Sequence, residues 1–256
     1  MRRSRFPLYL TAAVLLFFWV PIIILVVNSF NGSRFGSVWG GFSLKWYVKL
    51  FGDRSVWRSL QNTAIVASVS TAVSLVLGSL AGFTLFRYKT KLQRFHLGLV
   101  SLPLVIPDIL MGTSLLLFFI SLKIRLGLLT VILGHITFCI SYVAVTILAR
   151  LQDFDYRIVE AARDLGAKGW VLFRRIYMPL LAPGLLAGAM LSLTLSLDDF
   201  IITFFTAGPG SSTLPLQIYS MIKFGSPPMI NALSTLFLMV TFLIAFAYQR
   251  ISRRNT

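Results

Sequence analysis

Six stretches of this chain are long and apolar enough to cross a bilayer: roughly 7–28, 62–86, 98–120, 127–149, 180–205 and 230–249. About 20 apolar residues in a helix cover a hydrocarbon core, and no water is available there to satisfy exposed backbone groups. The pattern therefore predicts an all-α integral membrane protein of six transmembrane helices, a single transmembrane domain over 1–256. Composition agrees, with 57% hydrophobic and 12% charged residues, where a soluble domain carries roughly 25% charged. The first stretch follows Arg2, Arg3 and Arg5, as a signal peptide would. Its apolar run is too long for one and no small-residue cleavage site follows, so it reads as an uncleaved span.

The basic excess, Lys+Arg 24 against Asp+Glu 8, would suggest nucleic acid in a soluble chain. In a bilayer protein it reads as positively charged cytoplasmic loops. With the N-terminus inside, sixteen basic residues fall in cytoplasmic segments and eight in outer ones; the short segment 87–94 alone holds Arg87, Lys89, Lys91 and Arg94. Both termini are therefore expected in the cytoplasm, with the bilayer and not nucleic acid as the surrounding partner. The one cysteine, Cys139, excludes an intrachain disulfide and reads as a small buried apolar residue. Gly78 and Gly82, like Gly184 and Gly188, have the four-residue spacing that lets membrane helices approach closely.

Three acids stand in apolar surroundings. Asp198 and Asp199 interrupt LSLTLSLDDFIITFF (191–205), and Asp108 follows Pro103 and Pro107 in the third span. A carboxylate in hydrocarbon costs about 2.5 kcal/mol or more unless it is compensated. Counted at 1.5 Å per residue, Asp108 should lie roughly 15 Å deep and Asp198 roughly 27 Å, near the outer face. These are widely spaced acids, as a flexible cation with separated charges would need. Neighbours on a helix point about 100° apart. Asp198 and Asp199 therefore cannot both face one path unless the helix breaks; one is expected on the path, the other on backbone or a basic neighbour. Two readings stay open: the acids line a cation path, or they cap a broken helix or pair with a partner subunit. Trp46 could add an aromatic face and Ser196 a hydroxyl, although a tryptophan in an outer loop also reads as an interfacial anchor. His135 alone is no metal site and reads as an interhelical hydrogen bond. His96 sits in a basic loop and carries no argument.

The fourth and fifth spans are joined by a long charged loop, about 150–179. Asp153 or Asp155 could cap a first short helix, and Gly166 interrupts EAARDLGAKGW as between two helices. The run Glu160-Ala161-Ala162, three residues, Gly166, nine residues, Ile176, one residue, Met178-Pro179 resembles the EAA loop of binding-protein-dependent ABC importer permeases. The family pattern ends Leu-Pro, and this chain has Met-Pro. NSFNGSRFG, FSLKWY, LPLVIPD, GHITFCISYVAVTILARL, SLDDF and GPGSSTLPLQIYSMIKFG extend the likeness over nearly the whole chain, and within the family they resemble the second permease subunits of spermidine/putrescine importers.

The resemblance implies a type I ABC importer permease (MetI-like) fold in a bacterial inner membrane. It implies docking of an ATPase on Glu160, Ala161, Ala162 and Gly166, and a substrate path including Trp46, Asp108, Ser196, Asp198 and Asp199. It also implies three partners: a homologous permease forming a heterodimer, two copies of an ABC ATPase, and an extracytoplasmic polyamine-binding protein. The sequence lacks the G-x-x-x-x-G-K-[ST] phosphate cradle, so no cofactor is expected on this chain. ATP-Mg is expected on the partner ATPase, and the chain is not expected to be an enzyme. The rival substrate class, an anion, should place Arg or Lys within the spans, and none lies deep there. A proton-coupled secondary transporter would leave the EAA loop unexplained.

Overall fold

The computed structural model describes residues 6–34, 38–152, 155, 157–224 and 227–252; the side chains of 6–8, 227, 244–245, 247–249 and 251–252 are not described. Twelve helices follow in order: α1 (Phe6–Ser29), α2 (Lys45–Gly52), α3 (Arg54–Arg87), α4 (Gln93–Ser101), α5 (Asp108–Ser121), α6 (Leu128–Gln152), α7 (Arg157–Asp164), α8 (Gly169–Leu172), α9 (Met178–Asp198), α10 (Ile201–Thr206), α11 (Leu214–Lys223) and α12 (Pro227–Ser252). Among the described residues, four stretches are long and apolar enough to cross a membrane: Tyr9–Ser29, Arg54–Arg87, Leu128–Gln152 and Gly169–Asp198. The pair Gln93–Leu104 and Asp108–Ser121 makes a fifth if its 100° bend is one broken span. The apolar part of the last helix, Pro228–Leu243, is shorter.

The third window reads as one span, 98–120; the structure breaks it outright. Leu102–Leu104 forms a 3-10 turn after α4, and Pro107 stands extended, with ψ 133, before α5 begins at Asp108. Proline lacks the N–H that a continuing helix needs, and its ring crowds the preceding turn. The fifth window is broken too: Asp199 is extended, with ψ 127, between α9 and α10, and no proline stands there.

The chain divides into two compact units, residues 1–57 with 217–256, and residues 58–216. In the first, α1 packs on α12, with Trp19 stacked on Phe242 at 6.2 Å. After α1 the chain turns on Asn31, whose carboxamide accepts from the N–H groups of Ser33 and Gly40 and donates to the Val38 carbonyl. The short helix α2 follows and buries Trp46 and Leu50.

In the second unit α6 is the central element. Gly78 and Gly82 bring α3 against it: a Cβ on Gly78 would stand 2.7 Å from the Val143 side chain, and one on Gly82 2.6 Å from the Ala144 carbonyl. The spacing expected for close packing is therefore used. The other face of α6 packs on α9. Buried Val143, Ile147, Leu151, Val159, Leu172, Tyr177 and Leu181 form one cluster that ties α7 and α8 to α6 and α9. Asn62 on α3 donates to the carbonyls of Gly210 and Ser212, fixing the loop after α10.

Candidate functional site

The two breaks converge on one cavity of about 370 Å³. Asp108 from the start of α5, Asp198 from the end of α9 and Asp199 from the break line it. Phe138 and Tyr142 of α6, with Phe200, supply aromatic walls, and Pro103 and Leu195 complete much of the remainder. The expected wide spacing of the acids is thus corrected: all three share one chamber. The depth count assumed straight helices, and a 100° bend in one span with a break in the other invalidates it.

Asp198 and Asp199 behave differently, because the break rotates them apart. The Asp199 carboxylate accepts from the backbone N–H of Ile202 at 3.1 Å, the N–H of Thr203 at 2.9 Å and the Thr203 hydroxyl at 2.9 Å. Its Oδ2 also lies 3.2 Å from His135 Nε2, and its side chain is 9% exposed. It therefore caps α10. Among the described residues, Asp108 and Asp198 have no hydrogen-bond or ion-pair partner, and both are exposed to the cavity. They are its two uncommitted carboxylates.

His135 is wholly buried on α6. Its Nδ1 lies 2.7 Å from Ser196 Oγ and its Nε2 3.0 Å from Thr203 Oγ1. The Thr203 hydroxyl proton goes to Asp199, so Nε2 carries the proton shared between Thr203 and Asp199. Ser196, expected to lend a hydroxyl to the path, is 3% exposed and committed to His135. Trp46 is likewise not an open aromatic face. It is 7% exposed, its indole N–H donates to the Asn31 carbonyl at 2.7 Å, and Lys45 Nζ stands 4.8 Å from its ring. Lys49, three residues further along α2, lies 5.9 Å from the same ring, so the chain's own lysines already stand over it.

Sequence reasoning missed the aromatic lining. Tyr142, Phe138 and Phe200 sit among 22 phenylalanines and 8 tyrosines, and no spacing singles them out. Cys139, read as a buried apolar residue, is fully buried beside the Ser192 carbonyl.

The long loop forms a second site. Asp155 Oδ1 accepts from the Arg157 N–H at 3.0 Å and starts α7; Asp153 lies outside the described residues. The Arg157 guanidinium holds the Asp155 carboxyl below its usual range. α7 ends at Gly166, whose φ of +85° suits glycine. The Gly166 N–H bonds the Arg163 carbonyl and the Ala167 N–H that of Ala162, a Schellman stop. Val159 points into the core, while Glu160 and Ala161 face out. Ala162, 100° further round, packs partly on the core with Ala167. Beyond it Leu165, Trp170 and Val171 are exposed, Leu165 at 89%. Leu165, Trp170 and Val171 thus form an exposed apolar patch beside α7.

Residues 74–256 match the family described as the binding-protein-dependent transport system inner membrane component. The chain is 42% identical over 244 residues to the spermidine/putrescine transport system permease protein PotC of Escherichia coli strain K12, covering 95% of this chain and 92% of that protein. It is 38% identical over 237 residues to the putrescine transport system permease protein PotI of the same strain, covering 90% and 84%. A bacterial ABC transporter involved in the import of the acidic polysaccharide alginate superposes with a TM-score of 0.72 at 16% identity, covering 98% of both chains. The MetNI methionine ABC transporter gives 0.58 at 23%, covering 79% of this chain and 95% of that one. These two structures bear on the fold alone. With its helical architecture, broken spans and long loop between α6 and α9, the chain belongs to the binding-protein-dependent transport system inner membrane components, and it is a multi-pass ABC transporter permease.

Proposed function

We propose that this permease carries polyamines into the cytoplasm through the cavity lined by Asp108, Asp198 and Asp199. One observation carries the reading: two unpartnered carboxylates and one capped carboxylate face a chamber walled by Phe138, Tyr142 and Phe200. Carboxylates attract ammonium groups, and aromatic faces accept both ammonium charge and methylenes. No basic residue is among the cavity's lining residues, which disfavours an anion. The substrates named for the 42% and 38% identical relatives point the same way.

The chain works with a homologous permease, two ATPase subunits and an extracytoplasmic binding protein. It has six spans with both termini in the bacterial cytoplasm, and ATP-Mg sits on the ATPase. α7 and the exposed Leu165, Trp170 and Val171 meet the ATPase, with Glu160 at the rim and Gly166 shaping the turn. Val159 and Tyr177 join that surface to α6 and α9 through the shared core. Movement of α7 therefore reaches two of the helices that line the cavity, which is what alternating access requires.

The test is ATP-driven uptake of labelled spermidine and putrescine by proteoliposomes holding this chain with its partner permease, ATPase and binding protein. Asp108→Asn and Asp198→Asn should each lower uptake at least tenfold, the loss of about one charge-assisted contact, with the complex assembled as judged by size-exclusion chromatography. No polyamine uptake by the unsubstituted complex would remove the polyamine reading. Unchanged uptake in both variants would remove the carboxylate path.

A further inference from the structure

The break at Asp199 has no proline and no glycine, so something outside the backbone holds it. Its surroundings name the agent. One imidazole, His135 on α6, touches the last turn of α9 through Ser196 and the first turn of α10 through Thr203, with Asp199 between them. The ring is fully buried, and both nitrogens are engaged. α10 is also pressed closely on α6: a Cβ on Gly134, the residue before His135, would stand 2.9 Å from Ile202. Thr130, one turn earlier on α6, donates its hydroxyl to the Thr206 carbonyl at 2.7 Å. α6 thus grips both sides of the break, and Asp198 is the last residue before it.

We infer that His135 is a positioning residue for cation transport, an inference that rests on the permease reading: by clamping Asp199, Thr203 and Ser196 it fixes the break that aims the Asp198 carboxylate into the cavity. His135 does not touch the cargo. Its Nε2–H matters more than its bulk, because that atom reaches Asp199 and Thr203, whereas Nδ1 reaches only Ser196. Glutamine places an amide N–H near the Nε2 position, and asparagine places its amide near Nδ1. The two substitutions therefore separate the two contacts at similar polarity.

The experiment uses the reconstituted four-component complex and reads putrescine carried per ATP hydrolysed, alongside the amount of assembled complex. A mere loss of folding lowers assembled complex and leaves that ratio alone. The inference expects His135→Asn to lower the ratio about tenfold, as loss of a hydrogen bond to a charged group does, and His135→Gln to stay within about twofold. It also expects His135→Asn combined with Asp199→Asn to be no worse than Asp199→Asn alone, since both act through one contact. Equal ratios for Asn and Gln, or additive losses in the double variant, would overturn it. If Asp198→Asn abolishes uptake while both His135 variants keep the full ratio, this inference fails and the permease reading survives. If the unsubstituted complex carries no putrescine or spermidine, the reading beneath it fails first.

Discussion

The two breaks that build the cavity are made in different ways. Between α4 and α5 the backbone itself favours the break: Pro103 and Pro107, four residues apart, each lack the N–H that a continuing helix would use, whereas α1 and α9 each carry a single interior proline unbroken. Between α9 and α10 the residues Leu197, Asp198, Asp199, Phe200 and Ile201 could all continue a helix. There the break persists because Asp199 caps α10 and His135 holds the cap. A break written in prolines is local and robust. A break written in side-chain contacts is conditional on a partner helix, so it can be undone by one substitution far away in sequence.

The largest expected effect tests that asymmetry. Asp199→Ala strips the cap and leaves the Thr203 hydroxyl and the N–H groups of Ile202 and Thr203 without the carboxylate that accepts from them. It should destabilise the protein by about 3 kcal/mol, in the range for breaking a buried polar pair, read as a fall in the thermal unfolding midpoint of the purified complex. A loss below about 1 kcal/mol would mean that the break is as local as the proline one. Thr203→Val, nearly isosteric, removes the hydroxyl shared by Asp199 and His135, and should cost about 1.5 kcal/mol in the same measurement.

Asp53 sharpens the comparison, because it uses the same device in water. Its carboxylate accepts from the Ser55 N–H at 2.9 Å and the Ser55 hydroxyl at 2.7 Å at the start of α3. Partial burial pushes its pKa up, but the Ser55 and Val56 contacts and Lys49 together outweigh that and hold it below the ordinary 3.8. Asp53→Ala should cost about 1 kcal/mol. A depressed folded pKa means the contribution is present above the unfolded value and fades as pH falls through the folded one. The difference between the unsubstituted protein and Asp53→Ala should therefore narrow below about pH 4 in a thermal series. The smallest effect is expected from Pro107→Ala, about 0.5 kcal/mol, with Pro103 still breaking the span. A loss matching that of Asp199→Ala would erase the distinction between the two breaks.

The same distinction explains what could be read from the sequence. The windows locate the long helices well: 7–28 became Phe6–Ser29 and 127–149 became Leu128–Gln152, because length and hydropathy are local properties. The Gly166 turn was legible for the same reason; Pro103 and Pro107 were visible, but the full break they accompany was not read from them. Asp198 and Asp199 declared themselves as costly acids, and their 100° separation already required one to point elsewhere. Which one, and toward what, depended on His135, some 60 residues earlier. No pattern within either segment carries that pairing. Ser196 and Trp46 show the same limit: their hydrogen-bonding capacity was visible, but the groups that use it, His135 and the Asn31 carbonyl, were not.

The capped break also sets the field that a passing cation would meet. A helix N-terminus behaves as roughly half a positive charge, and two of them, those of α5 and α10, open beside this cavity. Asp108 stands in the first turn of one and Asp199 binds the first N–H groups of the other. Counting the three carboxylates and the two helix ends alone, three formal negative charges less two half-charges leave about two. A diamine bearing two ammonium groups would then neutralise the chamber, and neither the empty nor the filled state would hold a large unbalanced charge among apolar helices.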